Sequence, residues 1–253
     1  MQKECASRQP VVGARALPQG VKMGDVGISF RNSTGANAFT LAEVLLTLAI
    51  IGVVAALTIP AVVTKVTKDQ YVTGLKKAYN TLRAVEREAI QKYGPMENWT
   101  WSTGEDPTAD FEKYFLPHFD VLKNCGATTE EGCFAEELTV LSGSSMSHRN
   151  TAEYYKIVTS DGISWAYYKV GFTNPLQVRG HFIVDVNGLK GPNRLGRDIF
   201  EFQVYPSSLG IKPHGSYYAD STTPIPTSVV DAECNTSGNY CAAKVLSEGA
   251  MNY

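Results

Sequence analysis

Residues 36–63 read ANAFTLAEVLLTLAIIGVVAALTIPAVV. From position 44 to position 64 no side chain is charged, and only Thr47, Gly52, Thr58, Pro60 and Thr64 interrupt the aliphatic and alanine run. A helix rises about 1.5 Å per residue, so roughly 20 such residues cross a hydrocarbon core of about 30 Å. The stretch therefore predicts a membrane-spanning helix, and the one carboxylate at its start, Glu43, is expensive there. An ionisable group at membrane depth calls for a partner and is by default a functional residue.

Two accounts of Glu43 follow from the sequence. Thr40-Leu41-Ala42-Glu43 fits a capping box, in which the threonine oxygen and the glutamate each satisfy a backbone N–H at the helix start. A carboxylate there also suits the positive end of the helix dipole. The second account is electrostatic. If the chain were cut just before Phe39, a new α-amino group would appear four residues from Glu43. In a stack of parallel helices, the amine of one chain could meet Glu43 of the next and fix the axial register of otherwise uniformly apolar stems.

Beyond the apolar run, Tyr71, Leu75, Tyr79, Leu82, Val85, Ala89 and Tyr93 recur at steps of three and four, with Lys76, Lys77, Arg83, Arg87 and Glu88 on other faces. This amphipathic continuation should end at the Gly and Pro of "YGP" (residues 93–95). The expectation is one helix of about 50 residues, apolar all round in its first half and striped in its second. Pro60 removes one backbone donor and should kink this helix without stopping it.

Residues 95–150 lack periodicity apart from a short helical segment near "DFEKYFLPHF". The period then becomes two. "EYYKIVTSDGISWAYYKV" reads as a hairpin turning at Ser160–Asp161–Gly162, and "HFIVDV" and "IFEFQVY" read as two further strands. An antiparallel sheet of about four strands would bury its apolar face on the stripe of the long helix, an α+β fold. The tail from Ser207 reads as turn-rich. No internal repeats are present.

The chain has 253 residues and a formal charge of −2, with residues 1–38 at +3 and the remainder at −5. No basic patch points to nucleic acid. A basic start before an apolar run is also the pattern of a secretory signal, but such an apolar region is only about 7–15 residues long. "TKVTKDQ", which follows position 63, offers no small-residue cleavage site, so a retained anchor is expected. Lys65, Lys68, Lys76 and Lys77 follow the span as other positive charges precede it, so charge bias alone does not orient it.

The cysteines are Cys5, Cys125, Cys133, Cys234 and Cys241. The last four form two close pairs without zinc-type spacing or an adjacent histidine. Two local disulfides in an oxidising compartment are the reading preferred over four buried thiols, although four cysteines permit three connectivities. Asp185, Asn187, Asn193 and Asp198 offer hard oxygen ligands around a glycine-rich loop that Ca²⁺ would accept. That loop lacks EF-hand spacing, and its Asn-Gly and Gly-Pro steps are also ordinary turn chemistry. His118, His148, His181 and His214 are scattered and read as surface or packed histidines rather than a metal or catalytic set. "LSGSSMSH" contains no nucleophile elbow. Gly52 and Ala56 form a small-residue pair that would permit close helix contact.

The segment "AFTLAEVLLTLAIIGVVAALTIP" resembles the N-terminal signature of type IV prepilins and type II secretion pseudopilins. Thr40, Leu41, Val44 and Leu45 fit that signature as Phe39 and Glu43 do. The family usually has Gly before the cut, where this chain has Ala38, with Gly35 three residues further back. "VDVNGLKGPNRLGRDIFEFQV" and "YCAAKVLSEGAMNY" resemble later segments of the same group more loosely. The resemblance implies a pilin-like fold and a basic leader, residues 1–38, removed between Ala38 and Phe39 by a membrane prepilin peptidase that then N-methylates the new amine. Met23 is an alternative start within that leader. It makes Glu43 the assembly carboxylate and Pro60 the helix kink. It divides the mature chain into an assembly half of the helix at 39–64, an amphipathic half at 65–93, and a globular domain at 94–253 outside the cytoplasm.

The implied function is structural rather than enzymatic: a subunit, major or minor, of a pilus or pseudopilus. It would insert in a bacterial inner membrane, take other pilin-like subunits as partners through the helix, and need no cofactor, with calcium as an optional ligand. DNA or cargo binding at a filament tip is compatible with the same N-terminus, although the −5 charge of the mature chain gives DNA no help. The competing expectation is an unprocessed single-span protein with an external binding or enzymatic domain.

Overall fold

The computed structural model describes residues 39–129, 131–146, 151–170, 177–206, 208–220 and 222–253. The leader, with Cys5 and Ala38, and His148 lie outside these residues. The chain divides into two units, Met1–Ile51 and Gly52–Tyr253. Helix α1, Leu41–Tyr93, starts in the first and ends in the second.

Within the second unit the helix buries Tyr71, Val72, Leu75, Ala78, Leu82, Val85, Glu86 and Ala89, the stripe that the three-and-four spacing requires. Tyr79 lies at the edge of this stripe and stacks on Phe202, with ring centroids 5.6 Å apart. The helix ends where "YGP" predicts. Gly94 takes a left-handed φ of +80° and donates its N–H to the Ile90 carbonyl at 2.8 Å, closing the last turn before Pro95.

The sheet has six strands rather than four, in the order β1-β2-β3-β4-β5-β6, each antiparallel to the next. The four central strands are those the alternating pattern identifies: β2 Tyr154–Thr159, β3 Ser164–Lys169, β4 Gly180–Asp185 and β5 Ile199–Tyr205. The two extra strands are the edges, β1 Val121–Gly126 and β6 Gly210–Pro213. The tail is also more ordered than its turn-rich composition suggests, for it forms α3 Thr227–Thr236 and α4 Cys241–Glu248.

Both faces of the sheet are covered, whereas one covered face was expected. Ile157, Trp165, Tyr167, Phe182, Val184, Phe200, Phe202 and Val204 share a core with the α1 stripe. Alternate residues Tyr154, Ala166, Ile183 and Ile199 pack against Phe134, Ala135, Leu138 and Leu195. Part of the non-periodic connection thus covers the second sheet face. An earlier part, α2, Thr108–Tyr114, instead joins the core shared with α1, where its Phe111 stacks on Tyr155 at 4.5 Å. Asp110 of α2 pairs with Lys169 of β3 at 2.8 Å, with both side chains 3% exposed. Removing either partner would strand a buried charge.

Gly74 lets α1 pack closely on the residue that follows β4, since a Cβ there would stand 2.9 Å from the Val186 Cβ. Gly74→Ala should therefore destabilise the protein despite a better helix former. Overpacking costs about 1–3 kcal/mol against a propensity gain of about 1 kcal/mol. Urea unfolding of the variant checks this; an unchanged or higher midpoint would count against the contact.

Candidate functional site

The N-terminal element is built around Glu43. The Thr40 N–H donates to Glu43 Oε2 at 2.9 Å, and the Glu43 N–H donates to Thr40 Oγ1 at 3.2 Å, which together form the reciprocal capping box. The Thr40 hydroxyl adds a second donor to the same carboxylate oxygen at 3.0 Å. These bonds satisfy backbone groups but leave the charge uncompensated. Glu43 has no cationic partner among the described residues.

The stem that follows is exposed along its length: Phe39 is 83% exposed and Leu41 80%, and the large apolar residues continue exposed to Val66. Its threonines are satisfied within the helix. Thr58 donates to the Val54 carbonyl and Thr64 to the Pro60 carbonyl, each at 2.9 Å, so no hydroxyl seeks water. The helix continues unbroken through Pro60. A side chain at Gly52 would meet nothing within 4 Å. Among the described residues, α1 is thus the one helix long and apolar enough to cross a membrane, and the apolar surface of its stem is exposed.

The second site is the oxygen cluster in the β4–β5 connection. The structure brings Asp185, Asn187, Asn193 and Asp198 together. Asp185 ends β4, and its Oδ1 accepts the Asn187 N–H at 3.2 Å. Asp198 accepts the N–H groups of Asn193 at 2.8 Å and Arg194 at 2.7 Å, while its own carbonyl accepts the Val186 N–H at 2.9 Å. Asn193 holds a left-handed φ of +51°. Both carboxylates are fully buried.

Three acceptor oxygens of this cluster, Asp185 Oδ2, Asn187 Oδ1 and Asn193 Oδ1, are buried without a hydrogen-bond donor. Burial, reinforced by the neighbouring Asp198 charge, pushes the Asp185 carboxyl up to about 8. Burial also raises Asp198, against the backbone N–H groups that favour its ionised form. Two carboxylates and two amide oxygens are ligand types that a hard divalent cation takes.

The cysteines are joined locally, Cys125 to Cys133 and Cys234 to Cys241. The first bond tethers β1 to the segment that covers the second sheet face, and the second joins α3 to α4. Cys234 and Cys241 are both fully buried in the core shared with α1.

Among the described histidines, His181 is buried and His118 and His214 are partly buried. His118 pairs with Glu88, its Nδ1 3.2 Å from Glu88 Oε2. His181 and His214, 33 positions apart, meet across the sheet with Glu201 between them. Alternation in "HFIVDV" and "IFEFQVY" places His181 and Glu201 on one face only once the β4–β5 register is known, so no spacing motif could have signalled it. Comparison of the chain with models of known families, with curated proteins and with solved structures finds no match.

Proposed function

We propose that this chain is a prepilin-like structural subunit, cleaved before Phe39, methylated on the new amine, and assembled through α1 into a pilus or pseudopilus filament. The observation that carries the reading is the stem itself. Large apolar residues of the stem lie exposed from Phe39 to Val66, while the stripe from Tyr71 to Ala89 is buried. So much exposed apolar surface favours either a lipid or a protein surround. Burial of that surface in a shared helical core supplies the drive for assembly.

In this reading Glu43 supplies register. The capping box holds its carboxylate in place but does not neutralise it. The free amine of Phe39 on an adjoining subunit is the counter-charge. The two disulfides support a globular domain outside the cytoplasm, where such bonds persist. The chain itself catalyses nothing. Calcium held by Asp185, Asn187, Asn193 and Asp198 would neutralise the buried carboxylates and stiffen the connection between β4 and β5.

Mass spectrometry of the N-terminal peptide from native membranes tests the proposal. The expected peptide begins with N-methylated Phe39. A protein that keeps residues upstream of Phe39, in cells that contain prepilin peptidase, would instead be a single-span anchor with an external binding or enzymatic domain.

A further inference from the structure

We propose a zinc-class metal site formed by His181, Glu201 and His214 on the sheet face turned away from α1. The site follows from register. His181 on β4 pairs with Gln203 on β5, and Ile183 pairs with Glu201. His181 and Glu201 are therefore diagonal neighbours on one face of adjacent strands. His214 follows β6, and its backbone N–H donates to the Glu201 carbonyl at 2.9 Å, which places the second histidine beside the same glutamate.

Ligand-capable atoms of the three side chains all lie within 4.8 Å of one another. An ion at their centre would sit within about 2.8 Å of each, against bond lengths of about 2.0–2.2 Å, so small side-chain rotations complete the coordination. His214 Nδ1 and Glu201 Oε2 are already 2.9 Å apart. The other ring is nearby, with the His181 and His214 centroids 5.4 Å apart and their planes at 82°.

The surroundings hold both rings in place. Tyr168 stacks on His181 at 4.7 Å, and Tyr240 packs edge-on against His214 at 4.8 Å. His181 and Glu201 are buried, and the His214 side chain is 17% exposed.

The chemistry selects the metal class. Two imidazoles and one carboxylate are the borderline ligands that Zn²⁺ prefers, whereas calcium takes oxygen donors. Three protein ligands leave a fourth tetrahedral position for water. Metal ligands of these types bind in their deprotonated forms, so affinity should fall with acid. The simpler arrangement, a hydrogen-bonded His214–Glu201 pair beside a stacked histidine, uses the same residues without a metal, and the two readings part on titration.

The full chain, purified in detergent without a histidine tag and stripped with chelator, is titrated with Zn²⁺ and separately with Co²⁺ in millimolar Ca²⁺. One Zn²⁺ per chain and a visible Co²⁺ absorption of tetrahedral intensity are expected. His181→Ala and His214→Ala should each weaken binding by roughly 100-fold or more, beyond the 10–100-fold typical of losing an outer partner. Near-UV circular dichroism checks that the variants fold, and Glu201→Gln serves as a conservative third substitution. Absence of a Co²⁺ band in the parent chain overturns the site, as does Zn²⁺ binding that survives all three substitutions.

Discussion

Glu43→Gln is expected to leave membrane insertion unchanged and to reduce filament yield at least about tenfold, the consequence of losing roughly 1.4 kcal/mol per contact. Glutamine can still take the capping-box position, so the Thr40 bonds survive and only the charge disappears. Thr40→Ala makes the opposite change. It removes the cap, at a cost of about 0.5–2 kcal/mol to the helix start, and keeps the charge. Electron microscopy of sheared filaments and immunoblots of membranes from both variants separate the two roles. An ion pair at about 4 Å and an effective dielectric near 20 is worth roughly 4 kcal/mol before desolvation, which exceeds the cap. Glu43→Gln should therefore be the more severe change. Wild-type filament yield from that variant, with Thr40→Ala defective, would assign Glu43 to capping alone and remove the electrostatic basis of assembly.

Calcium should raise the melting temperature of the purified chain at pH 8 by roughly 5–10 °C over chelator. At a concentration 100 times the dissociation constant, binding adds about 2.7 kcal/mol, and each kcal/mol moves a domain of this size by about 2–4 °C. The pH dependence in chelator has a definite sign. Folding lifts Asp185 from the ordinary 3.8 to about 8, so between these values the folded chain holds a proton that the unfolded chain has released. Its stabilising contribution is full below about pH 4 and is lost as pH rises to about 8, at up to about 1.4 kcal/mol per pH unit. Calcium should reduce that loss, because the bound cation favours both carboxylates in their ionised form. Asp185→Asn should flatten the chelator profile and remove most of the calcium response. Identical melting curves with calcium and with chelator at pH 8, in the parent chain, would exclude the ion from this loop.

Local features of the chain were legible because neighbouring residues settle them. Thr40 and Glu43 are one helical turn apart, so their capping box needs nothing from elsewhere in the molecule. Gly94 and Pro95 stop α1 for reasons internal to their own backbones. The turn at Ser160–Asp161–Gly162 and the four central strands follow from a period of two. Cysteines eight and seven positions apart can pair without a long loop to close.

The edges were illegible for the converse reason. β1 carries Lys123 and Asn124 and has two register shifts against β2, so its pattern is broken. β6 is four residues long, begins with Gly210 and ends with Pro213, and looks like a turn until β5 pairs with it. The second covered face depends on residues 131–146, which show no period of their own.

The sequence by itself determined the apolar stem, its capped and acidic start, and the α+β order of helix and strands, because each is written in the spacing of near neighbours. The tertiary structure alone decided the six-strand sheet, its second covered face, the convergence of Asp185 with Asp198, and the meeting of His181, Glu201 and His214. These depend on strand register and on segments that fold back from far along the chain, and a one-residue slip would turn every side chain in question to the opposite face.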